Sequence, residues 1–314
     1  MQGQPILKVN RLKGFMTLKK KFKNSIVGVI LKNNDEKRGL AFIAPLVILM
    51  VLLYIWPMVQ SIIISFQDKN GNWGILNYKN LFTDHFFVQS LNNTVIFTIV
   101  SVFFHLVVGL AIALLLNLKV KPWFVNIIKG IAMIPWLISV SVAGAVWVLL
   151  YHPVGVFNYY LLKLGIISSQ ISWIGDPKFA LMALALVNIW KFYPLYMIMI
   201  YAGLKSIPEE IYESARVDGA KAYQLLIHIT IPQIKGVLVF TTLLNTIWTL
   251  RHFAFPYIMT QGGPMFKTML LTNYVYDTAF RNLQINYGSA ITVFMLVVSL
   301  VFCFIYLKLF QRSE

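Results

Sequence analysis

Six predominantly apolar stretches alternate with polar segments along this chain: Leu40 to Ser65, Ser90 to Asn117, Ile127 to Leu150, Phe179 to Ala202, Ile234 to Phe255 and Gly288 to Phe310. Each exceeds the roughly 18 residues that mark a membrane-crossing helix. The pattern therefore predicts an all-α polytopic membrane protein with six transmembrane helices, occupying residues 40–310. The interval Gln67 to Gln89, rich in Asn and Gly, reads as a short capped excursion, and Tyr151 to Lys178 has room for a short helix at Val156 to Leu164. Ahead of the first stretch, residues 6–31 place Leu12, Phe15, Met16, Phe22, Ile26, Val29 and Ile30 near one helical face and most lysines elsewhere. Residues 1–39 read either as a basic amphipathic helix on the membrane lipid surface or as a basic tail that sets topology.

The polar interval between the fourth and fifth stretches is patterned differently. Ser206-Ile-Pro-Glu209 has the spacing of a capping box, which predicts a short helix start there. Ile207, Ile211, Ser214 and Ala215 then share a face, and Gly219 suits a left-handed residue that ends the helix. A second short helix, Ala220 to Ile229, is predicted to lead to Pro232, which opens the fifth transmembrane helix.

Composition agrees with a membrane protein: 58% of residues are hydrophobic and 12% are charged, against about 25% charged in soluble domains. The formal net charge of +16 points to membrane topology and not to nucleic acid. Ten Lys/Arg fall in residues 1–39, three around Lys119 to Lys129, four in 203–235 and two in the tail, whereas the three other loops hold two each. By the positive-inside rule both termini (311–314 forming a short tail) and the 206–232 segment face the cytoplasm. The single cysteine, Cys303, excludes an intrachain disulfide. The five histidines are scattered without ligand spacing, so no metal site or catalytic set is read. Gly262 to Thr268 mimics a phosphate loop only superficially, because Phe266 stands where a glycine should precede the lysine.

Glu213-Ser-Ala, three residues, Gly219, nine residues, Ile229, one residue, Ile231-Pro232 resembles the signature of the membrane-spanning subunits of binding-protein-dependent ABC importers. Ser214 and Ile231 depart from the Ala and Leu of that pattern. Lys37 to Pro45, Asn92-Asn-Thr94, Ile207-Pro-Glu, Arg216 to Ala220 and Thr260 to Pro264 are similar to the sugar and glycerol-phosphate branch, whereas Arg251-His252-Phe253 departs from it. The resemblance implies a coupling helix in which Glu213, Ser214, Ala215, Asp218 and Gly219 meet an ATP-binding subunit. It further implies a permease of the cell membrane that binds no cofactor itself, ATP and Mg being held by two partner subunits. A second related permease and an extracytoplasmic solute-binding protein complete the implied assembly.

Polar and aromatic side chains within or beside the apolar stretches are the candidate substrate path: Trp190, Lys191, Tyr193, Asn245, Trp248, Arg251, Asn273, Tyr274 and Tyr276. If Lys191 and Arg251 both line it, the cargo is anionic; the aromatic and amide groups fit neutral sugars. For Lys191 the competing role is to pair with a helix carbonyl or a partner's carboxylate, and for each aromatic it is helix packing. A different class, an ion-coupled secondary transporter or channel, predicts midplane acidic residues, yet all eleven Asp and Glu fall in predicted loops and tails.

Overall fold

The computed structural model describes residues 34–118 and 121–311. The predicted surface helix over residues 6–31 lies outside them. Among the described residues the protein is helical, with one isolated bridge between Gln67 and Trp73. It divides into two compact units, residues 1–60 and 61–314.

The first unit contains α1 (Asn34–Met50), a wide turn at Val51–Ile55 and the start of α2 (Trp56–Ser65). Pro57 explains the wide turn. It lacks an N–H and its ring collides with the carbonyl four residues back, so the preceding turn opens to π geometry. Ala41–Ser65 is apolar and long enough to cross a membrane.

The second unit is built on two long helices, α4 (His85–Leu116) and α8 (Ala180–Lys205). Between them in the chain lie α5 (Pro122–Leu137), α6 (Val140–Leu150) and α7 (Val156–Lys163), and before them α3 (Leu76–Leu81). The short α7 falls where the sequence predicts it. Helices α4 and α8 run side by side in the same direction: Phe97 clusters with Leu184 near their starts, and Ala113 with Ile200 near their ends. Gly109 makes this approach possible, because a side chain there would run into the Cβ of Tyr196 and sit 3.0 Å from the Met197 amide nitrogen.

The remaining elements are α9 (Glu209–Val217), α10 (Lys235–Leu250), α11 (Ala254–Met259), α12 (Leu271–Tyr276) and α13 (Ile285–Gln311). Among the described residues, four helices are long and apolar enough to cross a membrane, and the count reaches six when each of two bent helix pairs is taken as one span. The first bend corrects an expected continuous helix. In the third apolar stretch α5 and α6 meet at 93°. The cause is local: Pro135 removes an amide donor, and Ser139 takes an extended ψ of 148° so that its hydroxyl accepts the Val142 amide as an N-cap. The second falls just ahead of the fifth stretch, where the sequence separates a short helix from the span: Pro232 sits in a short turn at Ile231–Gln233, and the chain bends by 67° before α10 begins at Lys235. The fifth stretch, expected to be continuous, is interrupted at Arg251–Phe253, between α10 and α11.

Candidate functional site: an exposed turn and a clamped helix break

The segment between α8 and α10 forms an outlying surface. Glu213 and Ser214 on α9, and Asp218 and Gly219 after it, are exposed, while Ala215 is half-buried and faces inward with Ile211. The turn closes in a defined way: Ala220 N–H donates to Ala215 O at 2.9 Å and Gly219 N–H to Arg216 O at 3.0 Å, with Gly219 at φ +83°. This is the Schellman arrangement, which needs a left-handed residue at that position. Beyond it, Val217 is 88% exposed, with Tyr223 and Ile227 also open. Glu209 and Glu210 in the first turn of α9 complement its helix dipole.

The predicted capping box at Ser206 does not form. Ser206 terminates α8 instead, its hydroxyl donating to Gly203 O at 2.8 Å, and the residue at the N-cap of α9 is Pro208, which offers no capping side chain. A serine that follows the last helical residue directly is taken up by the carbonyls of that helix. The side chain that does reach back is Gln224, whose Oε1 accepts the Lys221 amide at 2.7 Å. The second predicted helix is present from Ala222, with α geometry over Ala222–Gln224 and wider π geometry over Leu225–Thr230. Thr230, which bonds Leu225 O at 3.0 Å, also pairs with the Tyr212 hydroxyl at 3.1 Å and so ties that turn to α9.

The candidate path residues separate into three groups. Trp190, Lys191 and Tyr193 gather at the α5–α6 break. The Lys191 ammonium, 3% exposed, donates to Pro135 O at 2.9 Å and Trp136 O at 2.7 Å. The Tyr193 hydroxyl donates to Ala132 O at 3.1 Å, and the Trp190 ring packs edge-on against Trp147 of α6 at 5.4 Å. Trp190 and Tyr193 also border an apolar groove of about 700 Å³ between α4, α5 and α8.

The second group surrounds the loop after α11. Asn273 donates to Phe253 O at 3.0 Å, and the Tyr274 hydroxyl donates to the Asp84 carboxylate at 2.6 Å. Tyr276 packs among Phe253, Tyr257 and Phe280, with the Arg281 guanidinium 5.8 Å from its ring. In the third group, on α10 and at its end, Trp248 and Arg251 are exposed while Asn245 turns inward.

Asn245 belongs to a buried polar junction that the sequence pattern does not reveal. His105 of α4 is fully buried, its Nδ1 2.9 Å from the Asn245 side-chain amide and its Nε2 donating to Asn188 O at 3.0 Å. One imidazole thereby joins α4, α8 and α10. A histidine isolated within an apolar run was the available signal, and only its spacing to other histidines was informative in one dimension. Asp84 is similarly hidden in the sequence. Its Oδ1 accepts the Phe86 amide at 2.9 Å as the N-cap of α4, and its Oδ2 accepts the Tyr274 and Tyr287 hydroxyls at 2.6 and 2.8 Å.

A long helix joined to an exposed, glycine-closed helical turn is the arrangement anticipated for a coupling segment. Residues 105–313 match the family model described as the binding-protein-dependent transport system inner membrane component. The chain belongs to this family. The permease is 32% identical over 293 residues to the trehalose/maltose transport system permease protein of Thermococcus litoralis, covering 90% of this chain and 97% of that one. It is also 32% identical to the sulfoquinovosyl glycerol transport system permease protein of Agrobacterium fabrum, covering 89% and 92%. Among solved structures, the permease fold superposes with TM-score 0.78 on a chain of a bacterial alginate ABC transporter in complex with alginate pentasaccharide-bound periplasmic protein. That match covers 87% of this chain and 93% of the other at 23% identity. The permease is therefore a membrane transport component of the ABC type.

Proposed function

We propose that this chain is the membrane-spanning subunit of an ATP-driven importer for a sugar or oligosaccharide delivered by an extracytoplasmic binding protein. It pairs with a second, related permease and with two ATP-binding subunits that hold ATP and Mg. Each bent helix pair counts as one of six spans, both termini are cytoplasmic, and α9 is the coupling helix.

The observation that carries this reading is the coupling turn. Glu213, Ser214, Asp218 and Gly219 form an exposed, conformationally closed surface directly after α8. Ordered backbone with exposed Val217 beside it is what a partner's cleft requires. The sugar class rests on the relatives: one is named for trehalose and maltose, another for sulfoquinovosyl glycerol. The ion-coupled alternative has no comparable support. Since the Lys191 ammonium is engaged by two carbonyls, an anionic cargo rests on Arg251, and a neutral one on the aromatic and amide groups.

Mild-detergent purification of the tagged chain, expressed with its genomic neighbours, tests the proposal. It is expected to retain an ATP-binding subunit, and the reconstituted assembly to import sugar only with ATP and binding protein. A chain that retains no such subunit and transports alone would overturn it. Replacing Arg251 with Met separates the cargo classes: uptake of an acidic oligosaccharide falls and that of a neutral one persists if Arg251 reads charge.

A further inference from the structure

We propose that Lys191 is a tethered cation that holds the break between α5 and α6 in shape, and that α8 carries movement from the coupling turn to that break. The second half of this inference rests on the ATP-coupled reading above; the first half does not.

The last carbonyls of any helix lack intrahelical donors. In α5 the Ile134 carbonyl still receives the Ile138 amide at 3.3 Å. The next two acceptors, Pro135 O and Trp136 O, would be served in a continuous helix by the amides of Ser139 and Val140. Those residues instead begin α6 at 93° to α5. Two carbonyls are thus stranded inside an apolar span, where unmet backbone groups are costly, and they sit at the negative end of the α5 dipole. Broken helices of gradient-driven transporters use such ends, with unwound carbonyls, to coordinate Na⁺ or H⁺. Here the position is filled from within the chain: the Lys191 Nζ lies 2.9 and 2.7 Å from the two oxygens and is buried.

The neighbours of Lys191 turn this contact into a clamp on both arms of the break. Tyr193 bonds Ala132 O in α5, and Trp190 packs on Trp147 in α6. From Lys191, α8 continues as one helix, with Pro194 accommodated inside it, to Lys205, a run of about 21 Å. Ser206, Ile207 and Pro208 alone separate it from α9. A displacement of α9 therefore reaches the α5–α6 break through α8, and Lys191 is the positioning residue at the far end.

The test separates charge, hydrogen bonding and coupling. In the reconstituted assembly with binding protein and ATP, Lys191→Arg is expected to keep at least half of native transport. Lys191→Gln, which keeps an N–H donor without the charge, is expected to transport about tenfold less while ATP hydrolysis continues. In the purified permease alone, Lys191→Ala is expected to lower the melting temperature by about 3 °C or more. Propylammonium chloride, the severed end of the side chain, is expected to restore at least half of that loss, and tetramethylammonium chloride at equal ionic strength to restore none. Native transport by Lys191→Gln would overturn the cation role, as would equal effects of the two salts on Lys191→Ala. Transport and hydrolysis that fall in parallel in Lys191→Gln would overturn the role of α8 in coupling. Failure of the native chain to retain an ATP-binding subunit would instead defeat the underlying functional reading, and the salt comparison would still decide the rest.

Discussion

The two ends of the second unit satisfy their polar groups in opposite ways. At the end where α4 begins, side chains bond across long stretches of sequence. Asn93 donates to Phe266 O at 2.8 Å and Met269 O at 3.1 Å, Thr94 Oγ1 accepts the Leu271 amide at 2.8 Å, and Asp84 gathers Tyr274 and Tyr287. These partners are 173 to 203 residues apart. At the α9 end the bonds are local: Ser214 donates to Ile211 O within its own turn, and Tyr212 reaches Thr230, 18 residues away. No residue of α9 is buried. The first end completes its own structure, whereas the second is ordered yet offers its surface outward. The difference separates a self-supporting cap from the element proposed to dock more clearly than composition does.

That contrast is open to attack by substitution. Asp84→Ala removes a helix N-cap and leaves two phenols without their acceptor, so the purified permease should lose about 2 to 4 kcal/mol of stability in denaturant or thermal melts. Asn93→Ala strands the Met269 carbonyl and takes one of two donors from the Phe266 carbonyl, which keeps the Met269 amide at 3.3 Å, and should cost about 1 to 2 kcal/mol by the same measurement. Gly219→Val forces a branched side chain into φ +83°. It should cost about 1 to 2 kcal/mol locally, seen as faster amide exchange at Gly219 and Ala220, together with weaker retention of the ATP-binding subunit. Glu213→Lys should shift stability by no more than about 0.5 kcal/mol, yet sharply reduce the ATP-binding subunit that copurifies. If Glu213→Lys proved as destabilising as Asp84→Ala, the contrast between the ends would collapse.

The smallest expected effect concerns pH. Asp68 is half-buried and accepts the Asn72 and Asn70 amides at 2.9 and 2.8 Å and the Asn72 side-chain amide at 3.1 Å, which holds its carboxyl below the ordinary 3.8. A depressed folded pKa contributes stability above the unfolded value, and that contribution fades as pH falls through the folded value. Protection of the Asn70 and Asn72 amides, their exchange relative to an unstructured amide at the same pH, should therefore be steady above about pH 5, where both states are largely ionised, and fall only below pH 3.8. A loss of protection between pH 7 and 5 would contradict the assignment.

The apolar runs were legible because the membrane imposes length: a continuous run either suffices to cross or does not. The Glu213-to-Pro232 spacing was legible because a glycine with positive φ and a proline have few uses inside a polar helical turn. The signals for the broken third span were also present, as Pro135 followed by Ser139, but hydrophobicity alone cannot distinguish a straight helix from one bent at 93°. Ser206 misled for the opposite reason. Its spacing to Glu209 suits an N-cap, yet its hydroxyl met the carbonyl of Gly203 first. The split among the candidate path residues had no linear signature: Asn245 and Trp248 are three apart on one helix, one buried against His105 and the other 56% exposed.

What the sequence determined by itself was the solvent of each segment and the presence of a glycine-closed turn, because hydropathy and φ preference are properties of single residues and short windows. The tertiary structure alone decided which polar side chains complete the fold and which remain available. Lys191 became a ligand for the end of α5 because α8 packs against that break, and His105 became a junction because three helices meet there. Those outcomes depend on distances between residues far apart in the chain, which no local pattern encodes.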